Sequence, residues 1–98
     1  MRFSGVSAQL TARQRTEIRE FVDDQPGPIV GTRIIGFRTS TSAAARALAV
    51  ARTQAVRRAL QALDVSVSDR RTDLNANGDV ATFPERAGAV YLTLWSVD

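Results

Sequence analysis

The 98-residue chain contains no cysteine and no histidine. Disulfides, thiolate chemistry and imidazole acid–base catalysis are excluded outright. Zinc and most transition metals lose their usual ligands. The lack of cysteine leaves the redox compartment open. Lysine is missing too: all 13 basic residues are arginine, against 10 acidic ones, for a net charge of +3. So small an excess is a weak argument for a nucleic-acid partner. No apolar run approaches the roughly 20 residues needed to cross a bilayer. Met1 leads almost at once into a candidate strand rather than an apolar leader. The length suits one domain with one modest core, and the 44% hydrophobic content is that of an ordinary globular chain. There is no internal repeat and no low-complexity tract.

What is present is organised around residues 36–63. Gly36 lies near the end of an apolar, β-branched run, Ile29 to Phe37 (IVGTRIIGF), too short for a helix and read as a largely buried central strand. The polar loop Arg38-Thr39-Ser40-Thr41-Ser42 follows, with several candidate N-caps. An Ala- and Leu-rich run of strong helix propensity then extends to Leu63. At about 100° per residue, Ala45, Leu48, Ala55, Val56, Ala59 and Leu63 share one face, and Arg46, Thr53, Gln54, Arg57, Arg58 and Gln61 the opposite one. Arg52 breaks this division. It lies within about 40° of Leu48 and Val56, inside the apolar stripe. A guanidinium there must snorkel to the edge, pair with an acid such as Asp69 or Asp73, or meet an anionic ligand.

Upstream, Arg2 to Ala8 (RFSGVSA) alternates in part and reads as a strand. A helix starts at Leu10-Thr11, where Thr11 and Gln14 have capping-box spacing. Ile18, Phe21 and Val22 form its buried stripe, and Arg13 and Glu17 can pair on its exposed side. Asp23 to Pro28 (DDQPGP) ends it, because proline cannot continue a helix. Downstream, Val65-Ser66-Val67-Ser68 has period 2 and reads as a third strand. Asp69 to Arg86 reads mostly as loop, with Asn75 to Asp79 (NANGD) as turn chemistry and Val80 to Phe83 as a short extended piece. Ala89 to Val97 (AVYLTLWSV) reads as the final strand. The predicted fold is an α/β (α+β) sandwich, β-α-β-α-β-β, with a mixed sheet and two helices on one face. The long helix makes a right-handed crossover between parallel strands.

These residues resemble the OmpA-like C-terminal domain, the peptidoglycan-associating module also found in Pal and MotB proteins. The family opens on a Phe-containing strand and a Ser-x-x-Leu-Thr lead-in to its first helix; here stand Phe3 and Ser7-Ala8-Gln9-Leu10-Thr11. Its second strand ends in a Gly-aromatic/His-Thr-Asp turn, here Gly36-Phe37-Arg38-Thr39. Its second helix carries Leu-Ser-x-x-Arg-Ala-x-x-Val-x-x-x-Leu, and Leu48, Arg52, Val56 and Leu60 keep that spacing. The Gly-Val that follows this helix is matched by Asp64-Val65 in the Val alone. The resemblance implies a cell-envelope module, residues 1–98, cut from a longer, membrane-anchored protein and acting outside the cytoplasm. It also implies that Arg52 grips the diaminopimelate residue of a peptidoglycan stem peptide. The family Asp that shares this grip has Thr39 near its place. The family's Asn-Arg-Arg-Val lead-in to the last strand reads Ala87-Gly88-Ala89-Val90.

Physical chemistry points to the same end of the sheet. Open α/β sheets bind ligands at the carboxyl ends of their parallel strands, and a helix N-terminus there adds free N–H groups and partial positive charge. Arg52, about ten residues into its helix, would reach back toward that end, and its fork suits a carboxylate. The expected ligand site is therefore Arg52 with Gly36, Arg38, Thr39 and Ser40. Arg57, Arg58, Arg70 and Arg71 read as a solvated face rather than an RNA patch. Asn75 to Asp79 lacks the spacing of a calcium loop. Tyr91 and Trp95 read as sheet-face packing. With no His, no Cys and no convergent carboxylates, the chain is expected not to be an enzyme and to need no cofactor. The leading expectation is a non-catalytic envelope module binding the stem peptide, with no specific nucleic-acid partner. The alternatives are a ligand-free assembly domain of a surface or secretion protein, with oligomerisation left open, and an RNA-binding α/β domain.

Overall fold

The computed structural model describes residues 1, 3, 7–74 and 88–97. Helix α1 spans Ala12–Asp23, with Thr11 as its N-cap. The predicted capping box forms: Gln14 N donates to Thr11 Oγ1 at 3.1 Å, and Thr11 N donates to Gln14 Oε1 at 2.9 Å. Two of the helix's orphan N–H groups are thereby satisfied. Arg13 and Glu17 pair at 3.3 Å on the solvent side. Only Ile18 of α1 is buried. Phe21, expected beside it in the core, is 40% exposed. It lines an open recess with Met1, Tyr91 and Leu92 instead.

Strand β1, Ile29–Arg38, lies at the centre of the sheet, which has three strands among the described residues. Helix α2, Ala43–Gln61, is capped by Ser42, whose hydroxyl accepts from Ala45 N at 3.1 Å. It carries the chain over to β2, Asp69–Leu74, which runs parallel to β1 from Arg33↔Asp69 to Arg38↔Leu74. Strand β3, Val90–Ser96, pairs antiparallel on the other side of β1. The sheet is therefore mixed, in the order β2-β1-β3. The core joins Leu10 and Ile18 to Ile34, Val56, Leu60, Val65 and Val90, so both helices share one face.

Three sequence expectations are corrected here. Met1, Phe3, Ser7 and Ala8 lie outside regular structure, so the described part of the expected first strand is not strand; even so, Val90 N donates to the Met1 carbonyl at 2.8 Å. The period-2 run Val65–Ser68 is not a strand, and the strand is the charged segment that follows. The cause is visible in the bonds. Thr32 N donates to Ser68 Oγ at 2.8 Å and Ser68 N to Thr32 Oγ1 at 2.9 Å. Thr32 Oγ1 donates to the Ser66 carbonyl at 2.7 Å and Ser68 Oγ to the Thr32 carbonyl at 2.8 Å. Hydroxyl groups thus take the ladder's place until Asp69, satisfying the backbone without strand pairing. The segments expected at 75–79 and 80–83 lie outside the described residues.

The third correction concerns the face of α2. Its buried residues are Ala49, Arg52, Thr53, Val56 and Leu60. Leu48, Ala55, Ala59 and Leu63 are only half-buried, and Thr53, expected on the solvent side, is 1% exposed. The buried stripe is rotated by about 60° from the most hydrophobic one, counting 100° per residue. Gly36 explains the rotation. A methyl at its Cα would lie 2.6 Å from Thr53 Cγ2 and 3.0 Å from the Ala49 carbonyl oxygen. The missing side chain lets the small residues of α2 settle onto β1. Thr53 keeps its hydroxyl satisfied within the helix, donating to the Val50 carbonyl at 2.8 Å.

The other sheet face carries Arg33, Ile35 and Phe37 of β1 beside Asp69 and Arg71 of β2 and Tyr91 of β3. Phe37 and Tyr91 meet edge to face at 5.2 Å, and Arg33 lies 5.4 Å from the Trp95 ring centre. Tyr91 and Trp95 thus pack along a sheet face, the one turned away from the helices. Asp69 accepts from Arg33 at 2.9 Å and from Arg71 at 2.6 Å. The Arg71 hydrogen bond, helped by Arg33, holds the Asp69 carboxyl below the usual carboxylate range despite some opposing desolvation.

Candidate functional site

Arg52 is the residue around which a site can be built. Its place in the helix turns it toward the junction of the N-terminal segment with the start of β3. It is only 4% exposed. Its Nε donates to the Ser7 carbonyl at 2.9 Å and one terminal nitrogen to the Gly88 carbonyl at 3.1 Å. The guanidinium carbon lies 5.2 Å from the centre of the Phe3 ring, within cation–π range. Both carbonyls are neutral acceptors. Burial pushes the guanidinium pKa below its ordinary value; starting from so high a value, it stays a cation at neutral pH. Of the two internal acids weighed as partners, Asp69 is engaged by Arg33 and Arg71 instead. The side chain of Asp73 lies outside what is described.

Thr39 is brought to this pole, at the carboxyl end of β1. The link is Gly88, whose φ of +75° is the left-handed region that favours glycine. A methyl on Gly88 would lie 3.4 Å from an Arg52 terminal nitrogen and 3.5 Å from Thr39 Cγ2. Gly88 N donates to the Phe37 carbonyl at 2.9 Å, and Phe37 N to the Ala89 carbonyl at 2.9 Å. These bonds anchor the glycine at the end of the β1–β3 ladder. Arg52, Thr39 and Gly88 therefore converge, with Ser7 and Phe3 behind the guanidinium.

The remaining expected residues have other places. Gly36 is buried in the α2–β1 contact and faces Thr53 and Ala49. Ser40 folds onto the helix cap: its hydroxyl donates to Ser42 Oγ at 3.1 Å and accepts from Ser42 N at 3.3 Å. Arg38, the last residue of β1, is half-buried, and its enclosed Nε has no hydrogen-bond partner among the described residues. Sequence reasoning missed Gly88 as a site residue. Its signal was a lone glycine set between alanines just before a strand, where close backbone approach is common. It also took Phe3 and Ser7 for strand residues rather than the backing of Arg52.

The four arginines weighed as an RNA patch do not all converge: Arg58 and Arg70 line one open recess with Arg46, and Arg71 does not join them. Arg70 bonds to Gln54 of α2 on the helix side, while Arg71 pairs with Asp69 on the opposite face. Among the described residues, no three metal-ligating side chains cluster, and no helix is long and apolar enough to cross a membrane. Comparison with protein-family models, with curated proteins and with solved structures finds no match.

Proposed function

We propose that this chain is a non-catalytic module of the cell envelope, OmpA-like in kind, that binds the stem peptide of peptidoglycan at the Arg52 pole. One observation carries the reading: a buried guanidinium sits beside Thr39 at the carboxyl end of β1, where strand ends in such sheets meet their ligands. A carboxylate approaching over Gly88 would meet the Arg52 guanidinium, with Thr39 at its side. With threonine near the place of the family's aspartate, the peptide ammonium lacks its charged partner, a contact worth roughly 1.5–3 kcal/mol. Binding is then about one to two decades weaker than at a complete site, at 1.4 kcal/mol per decade.

The test is an NMR titration with a diaminopimelate-containing stem peptide. Shifts are expected at Thr39, Arg52 and Gly88, lost in Arg52→Ala and strengthened in Thr39→Asp. Thr39 is exposed, so the second variant remains informative even if the first fails to fold. No shift at millimolar peptide in either the wild type or Thr39→Asp overturns the proposal.

A second reading has its own support. The Arg52 bonds to the Ser7 and Gly88 carbonyls already give the guanidinium a structural task, fastening two chain segments to α2. On that reading the chain is a ligand-free assembly domain, and the same titration gives silence.

A further inference from the structure

Helix α2 contains no acidic residue, and none occurs anywhere from Gln25 to Leu63, a stretch that holds six arginines. Where α2 lies beside α1, an open groove of about 600 Å³ separates them. Its apolar floor includes Leu10, Ala55, Ala59 and Leu63, and its rim carries Arg15, Arg19 and Arg58. All three arginines are exposed, and none of their guanidiniums has a partner among the described residues. Among the described residues, no carboxylate lines the groove. Like charges around an apolar floor repel one another and raise the local positive potential.

The chemistry of the occupant follows from what lines the groove. Among the described residues no aromatic ring in the groove offers a base a stacking surface, which disfavours single-stranded nucleic acid. A concave floor receives protruding side chains better than a flat lipid surface. Alanines at 55, 59 and 62 leave room that larger residues would fill. We infer that the α1–α2 groove docks an acidic amphipathic segment of a partner protein. Its apolar side chains lie on the Leu10–Ala59 floor, and its carboxylates meet Arg15, Arg19 and Arg58. None of these residues belongs to the Arg52 pole, so the two readings fail or stand separately.

The probe is a synthetic amphipathic helical peptide with leucines on one face and glutamates on the other, titrated into the full chain and followed by amide NMR. Three controls run beside it: the same peptide with lysine for glutamate, phosphatidylglycerol vesicles, and a short single-stranded RNA. The acidic peptide is expected to shift Leu10, Arg15, Arg19, Ala55, Arg58 and Ala59, with affinity falling as salt rises. Arg58→Glu and Arg15→Glu should each weaken it about tenfold, the loss of one charge-assisted contact. Ala59→Leu should weaken it by filling the floor while leaving every charge in place. Equal binding of the lysine peptide, shifts elsewhere or none, or tighter binding of vesicles or RNA to these residues overturns the inference.

Discussion

Asp64 holds a backbone conformation that residues with side chains avoid. Its φ is 61°, just past the end of α2. Val65 N donates to the Leu60 carbonyl at 2.9 Å, and Asp64 N to the Gln61 carbonyl at 3.0 Å. This is the Schellman pattern, in which the left-handed residue is usually glycine. Leu60 and Val65 both belong to the core, in keeping with the hydrophobic contact that frequently accompanies the motif. A side chain in this region costs roughly 1–2 kcal/mol, while glycine's greater freedom in the unfolded chain returns about 0.5–1. Asp64→Gly should therefore stabilise the protein by about 0.5–1 kcal/mol. For a chain of this size that raises the melting temperature by several degrees, roughly 4–8 °C per kcal/mol. A melting curve that stays put or moves down would show that Asp64 earns its place through an interaction of its carboxylate.

At the scale of elements, the packing of α2 on β1 is decided by a missing side chain. Gly36→Ala drives a methyl against Thr53 Cγ2 and the Ala49 carbonyl oxygen, and the latter belongs to backbone that cannot rotate aside. The cost expected in urea melts is about 1–3 kcal/mol, the usual penalty for overpacking. Adding Thr53→Ser removes Cγ2 and should recover part of that loss; if the double variant is no better than Gly36→Ala, the carbonyl contact alone sets the penalty. The same contact explains what could be read beforehand. Arg52 was visible as a charge inside an apolar stripe, and the helix itself was plain from its alanines and leucines. The rotation of that helix was not visible, because a helical wheel weighs hydrophobicity, whereas close approach is decided by the Gly36 face that receives it. Thr11 and Gln14 announced their cap because both partners are local. Ser66 and Ser68 misled because alternation looks the same whether a ladder or a pair of hydroxyls satisfies the backbone. Asp69–Leu74 became a strand through register with β1, which no property of DRRTDL foretells. The Arg52 pole was half legible: the guanidinium and Thr39 were named, but Gly88 joins them only through the antiparallel pairing of β3.

At the scale of the whole molecule, β1, α2 and β2 form one continuous stretch of chain, and β3 and the N-terminal segment are added to it from either end. Arg52 bonds to carbonyls 45 residues before it and 36 residues after it. Contacts between such distant parts of a chain form only after costly loop closure. The guanidinium therefore fastens the two ends onto a middle that can assemble first. An interaction absent from the folding transition state governs how long the native state lasts, not how quickly it is reached. Arg52→Met should accelerate unfolding severalfold while leaving the refolding rate within about twofold of wild type; stopped-flow measurements across a denaturant series would read both limbs. A refolding limb slowed in step with the loss of stability would put this junction in the nucleus instead. If the unfolding limb alone moves, one buried arginine sets the residence time of the folded state, and with it the time the segments around Ser7 and Gly88 stay docked on α2.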